Sequence, residues 1–393
     1  MARKKKEESD AVQDTDEESA DGGSPLSGKD QRDAELAMLF KSAAKKFGDG
    51  AVGYANDFKF KEIYRIPSGI FPLDYSLGGG WPVGRVSMAY GNKSSSKSTT
   101  FLRSVGNAQR MCSECWTRIK TVEGKTRCVC GANRPTVALW IDVEGVWDHR
   151  WASRFLDVDK IILSQPATAE ETIDIGDSFL RSGKVDIIII DSIAFMTPFT
   201  EIERSASEPT VGVQARLVGG QMRKFVSGIN EIGRTEGRRP TVFLTNQIRM
   251  KVGVMYGNPE TISGGLAQGF ATSVEARMSS GKYTKDDVTG QSVCVEMKSR
   301  IEKNKTSPGM KMEAEWSMYL LKTEIKDVGE IRDEDFVLKM AEKTGLVDVA
   351  PGHRYTWKGE AFHGASTLEK HWMLHREEYA ELKEQLMAVL VAA

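Results

Sequence analysis

The chain has 393 residues, 40% of them hydrophobic, with 54 Lys and Arg against 55 Asp and Glu. That is the composition of a globular protein, and no apolar run reaches the ~18 residues a membrane helix needs. A formal net charge of −1 excludes a strongly basic protein, so any nucleic-acid contact must be local.

Residues 1–30 hold five Lys and Arg and nine Asp and Glu among Ser and Gly, which predicts a disordered charged tail. The start, MARKKKEESD, has no apolar stretch, so it is not a secretory leader, and a cytoplasmic location is expected. Residues 31–66 are expected to form a docking segment. Leu36, Leu39, Phe40, Ala43, Ala44 and Phe47 recur at helical spacing, and Gly48 ends the pattern. This apolar stripe packs either on the chain's own core or on a neighbouring subunit.

Residues 67–330 alternate short apolar strands with helical stretches, which predicts an α/β core with a mostly parallel sheet. RVSMAY (85–90) runs into GNKSSSKSTT (91–100), and a helix follows from about Thr99. The loop Gly91, Asn92, Lys93, Ser94, Ser95, Ser96 thus lies between a strand and a helix, where backbone N–H groups hold phosphate oxygens. Lys97 is placed to reach the β- and γ-phosphates and Ser98 to hold Mg²⁺. Ser96 stands where G-x-x-x-x-G-K-[ST] has its second glycine, so the loop alone leaves a chance Ser/Lys run open.

CSECWTRIKTVEGKTRCVCG (112–131) contains C-x2-C-x12-C-x-C. In a reducing compartment Cys112, Cys115, Cys128 and Cys130 suit a tetrahedral structural Zn²⁺ better than disulfides; four unliganded thiols are the alternative. Cys294 stands alone and reads as a core residue.

TVALWID (136–142) leads to Asp142 and Glu144, and a Glu there can deprotonate the water that attacks a γ-phosphate. DIIIIDS (186–192) ends on Asp191, where a magnesium-associated carboxylate sits beside the phosphate-loop strand. TVFLTNQ (241–247) ends on Gln247, a polar group able to register the γ-phosphate. Each has a bland reading as a turn residue or a solvated side chain. Taken with Lys97 and Ser98 they favour a nucleotide site. Residues 331–393 place two helical patterns around HRYTWKGEAFHG (353–364), a small α+β domain.

These strands, their order and their motifs resemble the bacterial RecA recombinases and their phage relatives of the UvsX type. KKFGDGA (45–51), SGIFPLDYSLGGGWPVGRV (68–86), SQPAT (164–168), DSIAFMTPFTEIE (191–203) and above all NQIRMKVGVMYGNPETISGG (246–265) carry the likeness. WKGE (357–360) is similar to the family's C-terminal domain. The resemblance covers about residues 33 to 385, interrupted by the cysteine-rich insertion.

The resemblance implies an ATP-dependent homologous recombinase and DNA-dependent ATPase. It would form helical filaments on single-stranded DNA and exchange strands with homologous duplex DNA. The loop from Gly91 to Thr99 would hold ATP, Ser98 and Asp191 Mg²⁺, Glu144 would be the catalytic carboxylate and Gln247 the sensor. Asp148 and Trp151 would meet adenine, and Lys303 and Lys305 would reach a neighbour's ATP. Loops at about Glu203–Gly212 and Ile248–Gly265 would bind DNA. Val211 and Val252 would wedge between bases, Gly212, Arg216, Arg249, Met250 and Lys251 would add contacts, and Gly253, Gly257, Gly264 and Gly265 would give freedom to order. Mediator or single-strand-binding proteins would be further partners.

Three departures stand out. Ser96 is one. Leu266 and Gly269 replace polar and basic residues usual after the double glycine, which weakens the expected loop-to-interface coupling. The acidic segment lies at residues 7–21, where it would restrain DNA access, and not at the C-terminus. The insertion joins a helix to a strand at the edge opposite the ATP-binding strand ends. It reads as a folding staple, with Trp116, Arg118, Lys120, Lys125 and Arg127 available to DNA or a partner protein. Two other functions compete. A RadA/Sms-like branch-migration motor would carry its zinc module ahead of the core, not inside it. A non-catalytic ATP-gated mediator is suggested by Ser96, but it need not keep Glu144, Asp191 and Gln247 together. Divergence and insertion hint at a phage source.

Overall fold

The computed structural model describes residues 28–58, 62–122, 125–203, 212–250, 257, 259–265, 267–307 and 313–392. The charged tail to residue 27, Val211, Lys251, Val252, Gly253 and Leu266 lie outside them. The chain divides into two compact units, residues 1–57 and 58–393.

In the first unit α1 (Gly28–Phe47) begins five residues before Asp33. It stops where the pattern predicts: Gly48 turns left-handed (φ 89°), and its N–H bonds the Ala44 carbonyl. Phe40 meets Tyr54 edge-on at 5.3 Å, while Leu39 and Phe47 stay exposed.

In the second unit β1 (Arg65–Ile66) pairs with β2 (Trp81–Pro82) around α2 (Phe71–Leu77). β3 (Val86–Gly91) enters α3 (Lys97–Ala108) through the phosphate loop. The insertion supplies the hairpin β4 (Lys120–Val122) and β5 (Lys125–Arg127). Then come β6 (Ala138–Asp142), α4 (His149–Ala152), β7 (Ile161–Ser164), α5 (Ala169–Arg181) and β8 (Ile187–Asp191). They are followed by α6 (Phe199–Glu203), α7 (Val213–Glu236), β9 (Thr241–Met250), β10 (Glu260–Ile262), α8 (Ala267–Ala271) and β11 (Val274–Lys285). β12 (Ser292–Asn304), β13 (Glu313–Tyr319) and β14 (Ile331–Arg332) close the sheet.

The sheet order is β14-β13-β12-β11-β3-β9-β8-β6-β7, with β10 on β9. From β11 to β7 neighbours are parallel, and β10, β12, β13 and β14 are antiparallel. The run Ile187–Ile190 shows why the parallel part forms. Ile187 and Ile189 pack with Phe101, Val105 and Phe243 in one layer, and Ile188 and Ile190 with Val218, Phe225 and Leu244 in the other. A strand buried on both faces must be apolar at every position. Parallel strands also bring their C-terminal ends to one edge, which gathers Gly91, Asp142, Asp191 and the Gln247 stretch.

The C-terminal layer comprises α9 (Glu334–Thr344), the antiparallel sheet β15 (Asp348–Ala350), β16 (Arg354–Trp357) and β17 (Glu360–His363), then α10 (Ala365–Leu374) and α11 (Arg376–Ala392). Its core includes Val337, Trp357, Leu368, Trp372 and Leu386, with Phe71 of α2 packed among them. Buried Asp333 accepts from Tyr379 Oη (2.8 Å) and Lys383 Nζ (2.7 Å), fixing α11 against the start of α9. No helix among the described residues is long and apolar enough to cross a membrane.

Candidate nucleotide and DNA site

Gly91 ends β3 where the neighbouring strand leaves no room for a side chain. A Cβ there would lie 2.0 Å from the Met278 carbonyl oxygen of β11. The loop then passes through left-handed backbone at Ser94 (φ 57°) and at Ser96 (φ 59°, ψ 24°). Ser96 thus adopts the conformation glycine usually supplies. The region is sterically allowed, at a cost to an L-residue of about 1–2 kcal/mol. Ser96→Gly should leave stability within about 1 kcal/mol, because relief of that strain is offset by glycine's larger folding entropy. Ser96→Val should cost about 1–3 kcal/mol and weaken ATP binding; urea denaturation and nucleotide titration measure both.

Ser95 Oγ donates to the Asn92 carbonyl (2.8 Å), and Lys97 Nζ donates to the same carbonyl (2.7 Å) and to Ser95 Oγ (3.3 Å). The loop is a closed cradle with one ammonium against it. Burial lowers the Lys97 pKa, while Asp191 and Glu144 act to raise it.

Asp191 is buried, and burial pushes its carboxyl above the ordinary range. Hydrogen bonds from Thr245 and Ser98 oppose the shift, and Glu144 and Asp142 add to it. Thr245 Oγ1 donates to Asp191 Oδ1 at 2.5 Å. Ser98 and Asp191 therefore meet at the start of α3 as an oxygen pair suited to Mg²⁺, and a divalent cation there would relieve the repulsion among the three carboxylates.

Glu144 Oε1 accepts from Ser192 Oγ (2.6 Å) and Gln247 Nε2 (3.3 Å), so the candidate base and the candidate sensor touch. Asp142 has a role that its place at a strand end did not reveal. Its buried carboxylate accepts from Val146 N (3.2 Å), Trp147 N (2.9 Å) and Gln165 Nε2 (2.8 Å). These bonds close the turn carrying Glu144. Asp148 then caps α4 by accepting from Trp151 N (2.9 Å), and Trp151 Nε1 donates to Thr99 Oγ1 (3.2 Å). The available signal was an Asp two residues before the candidate base, with Gly145 after it. Asp142→Ala should lower kcat about 100-fold through misplacement of Glu144 and also raise KM for ATP. Steady-state kinetics measure this, with hydrogen exchange across residues 143–148 reporting the loosened turn.

Gly91 pairs with Gln247 across β3 and β9. Beside it, buried Asn246 donates from Nδ2 to the Ser263 carbonyl and to Gln268 Oε1, both at 2.9 Å, and its Oδ1 accepts from Gln247 N (2.8 Å). Gln268 Nε2 donates to the Gly265 carbonyl (3.1 Å), and Arg249 Nε donates to Ser263 Oγ (2.8 Å). Buried amides thus tie the sensor strand to the far end of the second loop within the chain. Gly264 and Gly265 have φ of 84° and 77°, and added Cβ atoms would lie 3.0 Å from Ile193, in the turn after β8, and from Ala215 of α7. The left-handed backbone favours glycine at both positions, and the neighbours leave little room for a side chain. Gly212 caps α7 with φ 78°, and Arg216 and Met250 are exposed.

A family model described as RecA N-terminal domain matches residues 34–120 and 120–322. Protein RecA of Synechococcus sp. (strain CC9902) is 33% identical over 366 residues, 93% of this chain and 87% of that protein. The RecA proteins of Lactobacillus acidophilus and Francisella tularensis subsp. novicida are 33% identical over 363 and 365 residues, 91% of this chain and 88% and 89% of theirs. The chain belongs to the RecA family. It is accordingly an ATP-dependent recombinase and DNA-dependent ATPase that binds single- and double-stranded DNA and assembles into homo-oligomeric filaments. The RecA match breaks at residue 120, inside the insertion.

Two RecA-like site residues stand apart from the cradle. Lys303 Nζ donates to the Gly269 carbonyl, and Lys305 Nζ to that of Phe270 (3.3 Å). Val274 pairs with both Ser87 and Asn304, which puts these lysines at the start of β3. Gly91 lies four residues beyond Ser87 on β3, about 13 Å along the strand at ~3.3 Å per residue, and both ammonium groups are bound at the Gly269 and Phe270 carbonyls.

The four insertion thiols converge, with all Sγ atoms within 4.8 Å of one another. Cys112 and Cys130 are 3.7 Å apart, and Cys128 and Cys130 3.2 Å. A tetrahedron of ~2.3 Å zinc–sulfur bonds has edges of about 3.8 Å. Desolvation opposes the shift, but hydrogen bonds from Cys130, the Asn133 backbone and Cys112 together pull the Cys128 thiol down to about 6. Trp116 corrects the sequence reading: it is 7% exposed and packs in the main core, anchoring the insertion and taking no part in its outer surface. Cys294 is buried, as expected.

Proposed function

We propose that this RecA-family chain performs strand exchange with a working ATPase site. Lys97 and the loop from Gly91 hold the phosphates, Ser98 and Asp191 hold Mg²⁺, Glu144 takes the proton of the attacking water, and Gln247 senses the γ-phosphate. The contact of Gln247 with Glu144 carries this reading, because it joins the strand that leads into the second DNA loop to the catalytic carboxylate. The magnesium ion would neutralise phosphate charge; the proton itself goes to this chain's own Glu144. Asp148 and Trp151 face adenine, and Lys303 and Lys305 serve a neighbour's site across the filament. Leu39 and Phe47 of α1 dock on that neighbour. Arg216, Arg249, Met250 and Lys251 contact the DNA backbone, with Val211 and Val252 as wedges.

Coverage of nearly nine-tenths of each RecA relative supports the recombinase over a RadA/Sms-like motor. The Lys97, Asp191, Glu144 and Gln247 set supports catalysis over a silent mediator. A cytoplasmic site of action, a phage origin and partnership with mediator or single-strand-binding proteins complete the reading. The test is strand exchange between circular single-stranded DNA and homologous linear duplex, with filaments imaged alongside. Joint molecules and filaments are expected with ATP; neither would appear if the reading is wrong.

The four cysteines hold a structural Zn²⁺ in this reading. Elemental analysis should find about one zinc per chain, and a chelator should remove it with a fall in Tm. Metal-free protein of unchanged Tm would contradict the assignment.

A further inference from the structure

The insertion carries a charge pattern that a folding staple does not need. Its strands are in register with Lys120 opposite Arg127, and like charges directly opposite weaken an antiparallel pair. Arg118, Lys120 and Arg127 are all exposed. Among the described residues none of the three has an ion-pair partner, and the insertion's Glu114 lies beside Arg134 instead. At the base of the insertion a cleft of about 230 Å³ is of mixed charge, lined by Arg85, Arg238 and Arg239 together with Glu62 and Glu114, and Arg238 is paired with Asp186 and Glu236, so the basic face is the hairpin itself.

This edge is not the one that carries the DNA loops. The insertion joins the end of α3 to the start of β6, whereas both loops follow the C-terminal ends of β8 and β9. A polynucleotide held here would lie at the edge of the sheet opposite the strand ends that lead into the loops. Trp116 in the core and the four converging thiols hold the hairpin base, so its cations are displayed with little ordering left to lose.

We propose that the Arg118–Lys120–Arg127 face of the insertion grips the sugar-phosphate backbone of a second DNA segment while the loops hold the first. The inference takes from the family reading only that DNA is at hand, and from the metal reading only the firmness of the hairpin. Such contacts are indifferent to sequence and released by salt, at about 0.9 in log K per log[salt] for each phosphate neutralised.

The test uses full-length filaments preformed on unlabelled single-stranded DNA with ATP. Capture of a labelled heterologous duplex, or of a second labelled single strand, is titrated at several salt concentrations for wild type and for the triple variant Arg118→Gln, Lys120→Gln, Arg127→Gln. The variant should keep its zinc and its DNA-stimulated ATPase. It should lose about tenfold or more in capture, and its salt slope should flatten by about 2–3. Weakened capture of either probe supports the site, and the preferred probe tells duplex from single strand. Capture and slope equal to wild type with both probes would overturn it. Zinc is measured on the same preparations. A metal-free wild type whose triple variant still loses capture rejects the metal and keeps the DNA contact, and filaments that never form reject the family reading instead.

Discussion

Glu144→Gln should lower ATP turnover about 10²–10⁴-fold while nucleotide and DNA binding persist. The substitution is isosteric and keeps an oxygen able to accept from Ser192 Oγ, which lies 2.6 Å from Glu144 Oε1. The turn held by Asp142 is untouched. What disappears is the group that takes a proton, so the loss should fall on kcat and leave KM nearly constant. Filaments of the variant should outlast those of wild type once free ATP is removed, because hydrolysis drives release. Turnover within tenfold of wild type would move the base to another residue.

Gly91→Ala should abolish ATP binding and lower Tm. Its Cβ would lie 2.0 Å from a backbone oxygen of β11 and 2.9 Å from Ser95 Oγ, and a backbone atom within a parallel sheet cannot swing aside. Either the β3–β11 pairing, where Gly91 sits opposite Met278, opens, or the loop leaves its cradle shape. Overpacking of this kind costs about 1–3 kcal/mol and occasionally more. Gly220→Ala is the control, since nothing lies within 4 Å of its Cβ on α7, and there alanine should be neutral or stabilising by up to about 1 kcal/mol. Equal Tm and ATP affinity in both variants would mean that β3 and β11 are spaced more widely than described.

How much of this was visible in the residues follows from which interactions are local. The run Ile187–Ile190 announced a strand covered on both faces, and Asp191 at its end marked the ligand edge. Lys97 and Ser98 had only to follow a strand and open a helix. Pairings between distant residues left no such trace. Asp142 with Gln165 and Asn246 with Gln268 are polar contacts over more than twenty positions, the second fully buried, and no periodicity encodes them. Gly264 and Gly265 show in the sequence only as missing side chains, and neither their left-handed backbone nor the neighbours Ile193, Val218 and Ala215 can be read there. Trp116, set among Arg and Lys, looked like surface, yet its ring closes the core. Ser96 was open for a related reason. A motif counts residue types, whereas the loop asks for a left-handed turn, which serine enters at modest cost.

ATP hydrolysis by the wild-type chain, at saturating ATP and Mg²⁺, with and without single-stranded DNA, tests the central claim most directly. A Glu144 carboxylate in contact with Gln247, which borders the proposed DNA loop, predicts a rate that rises on addition of the DNA. A rate that is the same in its presence and absence would contradict it.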